Sequence, residues 1–373
     1  DRHNSARPAS AERKSQFFTH KFTRFEIIFN VYGIVIKSRR GEKSNSKGNK
    51  CGTESRKKGK NAAKRATLIL LFFALAALSV ALIANPEKYV PVCFEGIALW
   101  AQCVLPALFP FMVVCTILTN SGLADKISKP LARVCGAVKL PPSAAIGFLM
   151  SITSGYPAGS RTVSQFYTSG LCDKEACEKL AFLCSTSGPV FLIGTVGAGM
   201  FGDGGIGAKI FAMHAISVVL VAVAISLFSK KSRGKQPAAI KTQNVLYESF
   251  YGAVNSALTA GAFIAFFYTA AEVAHDFYIL YPVERLFNLF MDENLAKAAA
   301  AGLIEMPGGC AALAKFGGAL SVPMAGFTVT FGGACVILQQ LSFLNSAGVR
   351  CARFIAVKFI QGALCFALLL IPI

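Results

Sequence analysis

The chain has 373 residues, of which 54% are hydrophobic and only 15% charged, with a mean hydropathy of +0.53. A soluble globule carries nearer a quarter charged residues, and the apolar runs 67–84, 206–228 and 351–373 each reach the roughly 18–20 residues that cross a hydrocarbon core. A soluble globular protein is excluded, and an all-α polytopic membrane protein is predicted.

The net charge of +19 is uneven: residues 1–66 hold 18 Lys and Arg against 5 Asp and Glu, a net of +13, which leaves +6 for the rest. This composition predicts a basic cytoplasmic arm over 1–66 that fixes orientation and touches the anionic lipid of the bilayer. Nothing in it has the pattern of a nucleic-acid fold, so no nucleic-acid partner is expected. Its stretch 25–36 is an apolar island too short to span, suited to the interface, and its basic and apolar regions do not line up as a secretory signal.

The basic clusters orient the rest of the chain. A first transmembrane helix over 67–87 runs outward, and a first membrane repeat occupies 88–228. In that repeat, 93–118 returns inward to Lys126, Lys129, Arg133 and Lys139, and Pro106 and Pro110 are expected to kink it. Residues 143–154 are half a span, followed by the break Ser154-Gly155-Tyr156-Pro157-Ala158-Gly159 and a polar arm with Ser160, Arg161, Thr162, Ser164 and Gln165. That polarity predicts a re-entrant hairpin entered from the cytoplasm. After a charged loop at 173–179, a span over 180–200 is broken at Thr186-Ser187-Gly188-Pro189, and 206–228 returns to Lys230, Lys231, Arg233, Lys235 and Lys241 in a basic loop at 229–247.

A second repeat over 248–373 follows the same order. Residues 249–273 run outward, and 298–316 form a hairpin broken at Glu305-Met306-Pro307-Gly308-Gly309. The span 322–344 is broken at Phe331-Gly332-Gly333 and leads to Arg350 and Arg353, and 351–373 exits. Each half then holds three spans and one hairpin. An odd number of crossings turns the second half upside down, so two inverted-topology repeats are expected, with hairpin tips and broken helices near the midplane. Paired breaks of this kind mark a secondary-transporter site.

The freed N–H groups at a helix break can cradle an anion. The candidate substrate-binding residues are Gly155, Tyr156, Pro157, Gly159, Arg161, Ser187, Gly188, Gly308, Gly309, Gly332, Gly333 and Gln339; the glycines serve equally well for close helix packing. Arg161 either grips a substrate carboxylate or snorkels to the interface. Glu305, alone in an uncharged run, either binds a coupling proton or Na+ or caps the hairpin. Gln165, Thr195 and Gln340 are further polar candidates inside spans. Of the 12 cysteines, most lie in apolar segments and only Cys172 and Cys177 are placed in a polar loop, so neither a metal site nor a disulfide framework is expected. The pattern Gly197-Ala198-Gly199-Met200-Phe201-Gly202 matches a dinucleotide fingerprint but ends a span, and no GxSxG, HExxH or Walker A motif is present. No enzyme activity and no cofactor are expected.

The runs Val104-Leu105-Pro106-Ala107-Leu108-Phe109-Pro110-Phe111, Ser154–Gly159, Ser185–Pro189, Ile193-Gly194-Thr195-Val196-Gly197, Gly302-Leu303-Ile304-Glu305, Phe331-Gly332-Gly333 and Gln339-Gln340 together resemble the Gate, or nucleoside-recognition, membrane domain family, in particular the YlbJ-like sporulation integral membrane proteins. The resemblance covers roughly 67–373. It implies a fold related to the core of concentrative nucleoside transporters. It also implies a role in moving dipicolinic acid from the mother cell across the outer forespore membrane, in a multi-pass protein with its N-terminus in the cytoplasm. The expected partner is a small anionic solute, and a homo-oligomer is compatible with this reading. A nucleoside transporter and a non-transporting sporulation scaffold are the alternatives.

Overall fold

The computed structural model describes residues 50–121, 133–229 and 244–371. The rest of the arm with its apolar island, Lys126 and Lys129, the basic positions from Lys230 to Lys241 and the last two residues lie outside the described residues. The chain divides into two units, Asp1–Leu71 and Phe72–Ile373. Residues 50–71, the described part of the first, are helical; apart from the first helix, everything that follows concerns the second.

Among the described residues the secondary structure is helical apart from a single isolated bridge residue. Five helices are long and apolar enough to cross a membrane: Pro86–Leu118, Gly204–Leu227, Val245–Asp276, Ser321–Leu344 and Cys351–Leu369. Helix α1 (Lys50–Ala84) precedes α2 (Pro86–Leu99) and α3 (Leu105–Asn120). A π-helical turn, Trp100–Val104, joins α2 to α3; Pro106 just beyond it has no N–H to give, and π-turns are where helices kink. Gly261 leaves room for the Trp100 ring, since a Cβ there would lie 2.6 Å from it.

The first expected hairpin is formed by α4 (Ala144–Ser154) and α5 (Ala158–Thr168). Next come α6 (Lys174–Leu183), an unwound stretch at 184–189, and a π-helical segment, Val190–Met200. Helices α7 (Gly204–Leu227) and α8 (Val245–Asp276) follow, then the short α9 (Tyr281–Phe287). The second hairpin is α10 (Glu293–Gly302) and α11 (Met306–Phe316). The last broken helix is α12 (Ser321–Phe331) and α13 (Gly333–Leu344), and α14 (Cys351–Leu369) ends the described chain.

One expectation is corrected. Residues 174–179, taken from their charge as part of a loop, are the first turns of α6, because Asp173 caps that helix by accepting from the Ala176 amide at 2.7 Å. Cys172 and Cys177 are accordingly buried rather than set in a polar loop.

Polarity is arranged inside out. Phe72, Phe94, Leu258 and Phe359 are exposed, as lipid-facing side chains would be, whereas Ser151, Ser185, Thr186, His214, Gln340, Lys358 and Gln361 are almost completely buried. Each hairpin packs across the halves: α5 lies on α13, and α11 lies on the Val190–Met200 segment.

Candidate functional site

The polar interior is built around the helix breaks, where backbone groups without lipid-phase partners must be satisfied by the protein itself. At the first tip, Gly155 adopts φ +72°, and a Cβ there would lie 3.0 Å from the Gly188 amide. The first hairpin tip and the first broken helix therefore abut through two glycines. Gly159 faces α6 so closely that a Cβ would fall on the Cys184 carbonyl.

The unwound stretch after α6 is held by side chains. Thr186 donates its amide to Ser151 Oγ at 3.1 Å, and their hydroxyls pair at 2.7 Å. Ser187 donates its amide to His214 Nε2 at 3.0 Å, so Nε2 is unprotonated and Nδ1 carries the proton to Thr330 Oγ1 at 2.9 Å. Carbonyls freed at the end of α6 are taken by α14: Gln361 Nε2 donates to Phe182 O and Lys358 Nζ to Ser185 O, both at 2.9 Å. Lys358 also donates to the Tyr156 hydroxyl at 3.3 Å, and Tyr156 in turn donates to the Val329 carbonyl at 3.2 Å. Gln340 Oε1 accepts from Ser160 Oγ at 3.0 Å and from Ser185 Oγ at 2.5 Å.

The second pair of breaks closes on itself. Gly332 and Gly333 adopt φ +92° and +61°, conformations that L side chains rarely take. The turn they form presents the Ala334 and Cys335 amides to the Leu303 and Ile304 carbonyls at 2.7 and 2.9 Å. Two of the amides that follow Gly332-Gly333 at the start of α13 are thus given to the neighbouring tip. Glu305 caps α11, its Oε2 accepting from the Gly308 amide at 2.6 Å, while its buried Oε1 has no hydrogen-bond partner. Gly309 lies on Gly302, with no space for a Cβ between them.

Both halves meet at one cleft with about 380 Å³ of space between its atoms, lined by Tyr156 from the first tip, Ser187 from the first break, Met306 and Pro307 from the second tip, and Gln339 from α13. Of the residues singled out from the sequence, Tyr156, Ser187 and Gln339 line this cleft. Gly155, Gly188, Gly159, Gly308 and Gly309 form close crossings, and Glu305 is a cap. The Tyr156–Pro157 peptide is cis.

Arg161 belongs to a second cleft, of about 400 Å³, which it lines with Asn120, Thr162, Gln165 and Ser256. Its Nη1 donates to Gly252 O and to Ser256 Oγ on α8. Thr195 donates to the Cys103 carbonyl at 3.1 Å, a helix-to-helix bond. The Gly197–Gly202 pattern follows no strand; Gly197 packs on Gly207, where a Cβ would lie 2.5 Å from its Cα. Outside the apolar stretches, Glu178 receives a two-pronged bond from Arg350 at 2.9 and 2.8 Å and a third from Arg353 at 2.9 Å. Burial pushes the Glu178 carboxyl up, but the Arg350 hydrogen bond and both arginine charges outweigh it and hold the group below the usual carboxylate range.

Two residues central to this network escaped the sequence reading. Lys358 is a lone cation within an apolar run, the same signal that drew attention to Glu305. The partners of His214 stand 27 and 116 positions away, and no local spacing points to them.

These features define a polytopic helical membrane protein whose polar interior is gathered around two hairpin tips and two broken helices. Residues 103–229 match the Gate family, described as nucleoside recognition. Over 180 residues the chain is 25% identical to the sporulation integral membrane protein YlbJ of Bacillus subtilis (strain 168), an alignment covering 46% of this chain and 42% of that relative. Each match is a likeness over less than half of this chain. The chain spans less than half the length of this relative. No solved structure matches it.

Proposed function

We propose that the chain is a secondary transporter or facilitator of a small anionic or heterocyclic solute, built on two inverted-topology repeats related to the core of concentrative nucleoside transporters. The observation that carries this reading is the convergence of both hairpin tips and both broken helices on one cleft with Tyr156, Ser187 and Gln339 in its walls. Polar groups at paired helix breaks argue against a non-transporting scaffold, which does not need them. In this reading access alternates between the two sides of the membrane as one repeat moves against the other.

The favoured solute is dipicolinate, crossing the outer forespore membrane, with the N-terminus in the cytoplasm; the sporulation setting comes from the relative. The family's description favours a second reading, nucleoside transport. Coupling to a proton or Na+, and assembly as a homo-oligomer, are compatible with either. The test is uptake of labelled dipicolinate by proteoliposomes of the full chain, beside a labelled nucleoside. Saturable dipicolinate uptake supports the first reading and nucleoside uptake alone the second. Uptake of neither, by correctly inserted protein, refutes transport.

A further inference from the structure

Lys358 is completely buried in α14. Its ammonium meets the Ser185 carbonyl and the Tyr156 hydroxyl, and lies 5.3 Å from the centre of the Tyr156 ring. All of these partners are neutral. Among the described residues no carboxylate forms an ion pair with it: Glu178 is bound by Arg350 and Arg353, and Glu305 gives Oε2 to the Gly308 amide. An unpaired charge inside a membrane protein is costly.

Capping the freed carbonyl of Ser185 does not require a charge. One turn along α14, Gln361 does the same for the Phe182 carbonyl with a neutral amide. Carbonyl capping alone therefore does not account for a lysine at 358, a side chain able to carry a positive charge toward an anionic partner. Tyr156, the residue in contact with Lys358, is also a wall of the central cleft. The same cleft is lined by Gln339, 3% exposed, whose Nε2 donor has no partner.

We propose that the central cleft is an anion site in which Lys358, acting through Tyr156, supplies the compensating charge and Gln339 Nε2 the open donor. Lys358 is then the residue that selects an anionic over a neutral solute. This inference deepens the transporter reading and rests on it.

The test is equilibrium binding to the full chain in lipid nanodiscs of three probes: dipicolinate, its neutral diamide and a nucleoside. The proteins are wild type, Lys358→Gln, which keeps a donor for Ser185 O as Gln361 does for Phe182 O, and Lys358→Arg, which keeps the charge. Wild type is expected to prefer the dianion over the diamide by about ten-fold or more. Lys358→Gln should lose that preference by weakening the dianion alone, and Lys358→Arg should retain it. A preference that survives in Lys358→Gln, or an equal loss of both pyridine ligands there, overturns the proposal and leaves Lys358 a carbonyl cap. Absence of any preference in wild type, or binding of the nucleoside alone, also overturns it while leaving transport standing. Binding of no probe by wild type removes the transporter reading, and this inference with it.

Discussion

Gln340 shows how a single side chain joins the halves, because its Oε1 accepts from Ser160 in the first hairpin and from Ser185 in the first broken helix. Replacing it with Leu strands two buried hydroxyls at about 1–3 kcal/mol each, and the melting temperature in detergent should fall. Gly159 supplies a matched steric test. Alanine there must displace the Cys184 carbonyl, at about 1–3 kcal/mol for an overpacked site, whereas Gly194→Ala meets nothing within 4 Å and should melt like wild type. The glycines and prolines at the breaks were legible in the sequence because a helix interruption inside an apolar run has few other causes. Their partners were not, since Ser187–His214 and Tyr156–Lys358 depend on which helices pack together. Lys358 did carry a readable signal, a cation inside the last apolar run, which the neighbouring Arg350 and Arg353 obscured.

At the scale of elements, Glu305 separates capping from ion coupling. Glu305→Ala removes the acceptor for the Gly308 amide and should cost about 1 kcal/mol of stability, as loss of a helix cap does. Glu305→Gln keeps an acceptor oxygen and should melt close to wild type. If the carboxylate also binds a coupling proton or Na+, transport by Glu305→Gln loses its dependence on that ion; if it only caps, transport is unchanged. Glu178 ties the start of α6 to the start of α14. With its folded carboxyl held below the usual range, its contribution is fully present above that range and disappears as pH falls through the lowered folded value. Melting of Glu178→Gln should therefore lie below wild type near neutral pH and converge with it in acid. Helix boundaries were legible unevenly: the expected spans 249–273 and 206–228 correspond closely to α8 and α7, but the helices expected to begin at 67 and 93 begin at Lys50 and Pro86. In α6 the charged first turn concealed a helix start that Asp173 caps locally.

Among the described residues from Phe72 onward, buried polar side chains gather at the helix breaks while large apolar side chains are exposed, and the order of hairpin, broken helix and full span recurs in both halves. That order was legible because each break falls in a run too apolar for a loop. The crossed packing of each hairpin on the other half's broken helix was not, since it follows from three-dimensional closure rather than from any local pattern. The crossing makes the cleft a junction of both halves, so motion between them must open or close it. A scaffold needs no such motion and a carrier cannot act without it. The most direct test of this account is counterflow: vesicles holding the full chain are loaded with unlabelled dipicolinate and diluted into a trace of labelled solute. A transient accumulation of label above its equilibrium level, reduced by Gln339→Ala, is the predicted result. Label that never exceeds equilibrium, with insertion verified, would contradict a carrier with its site in this cleft.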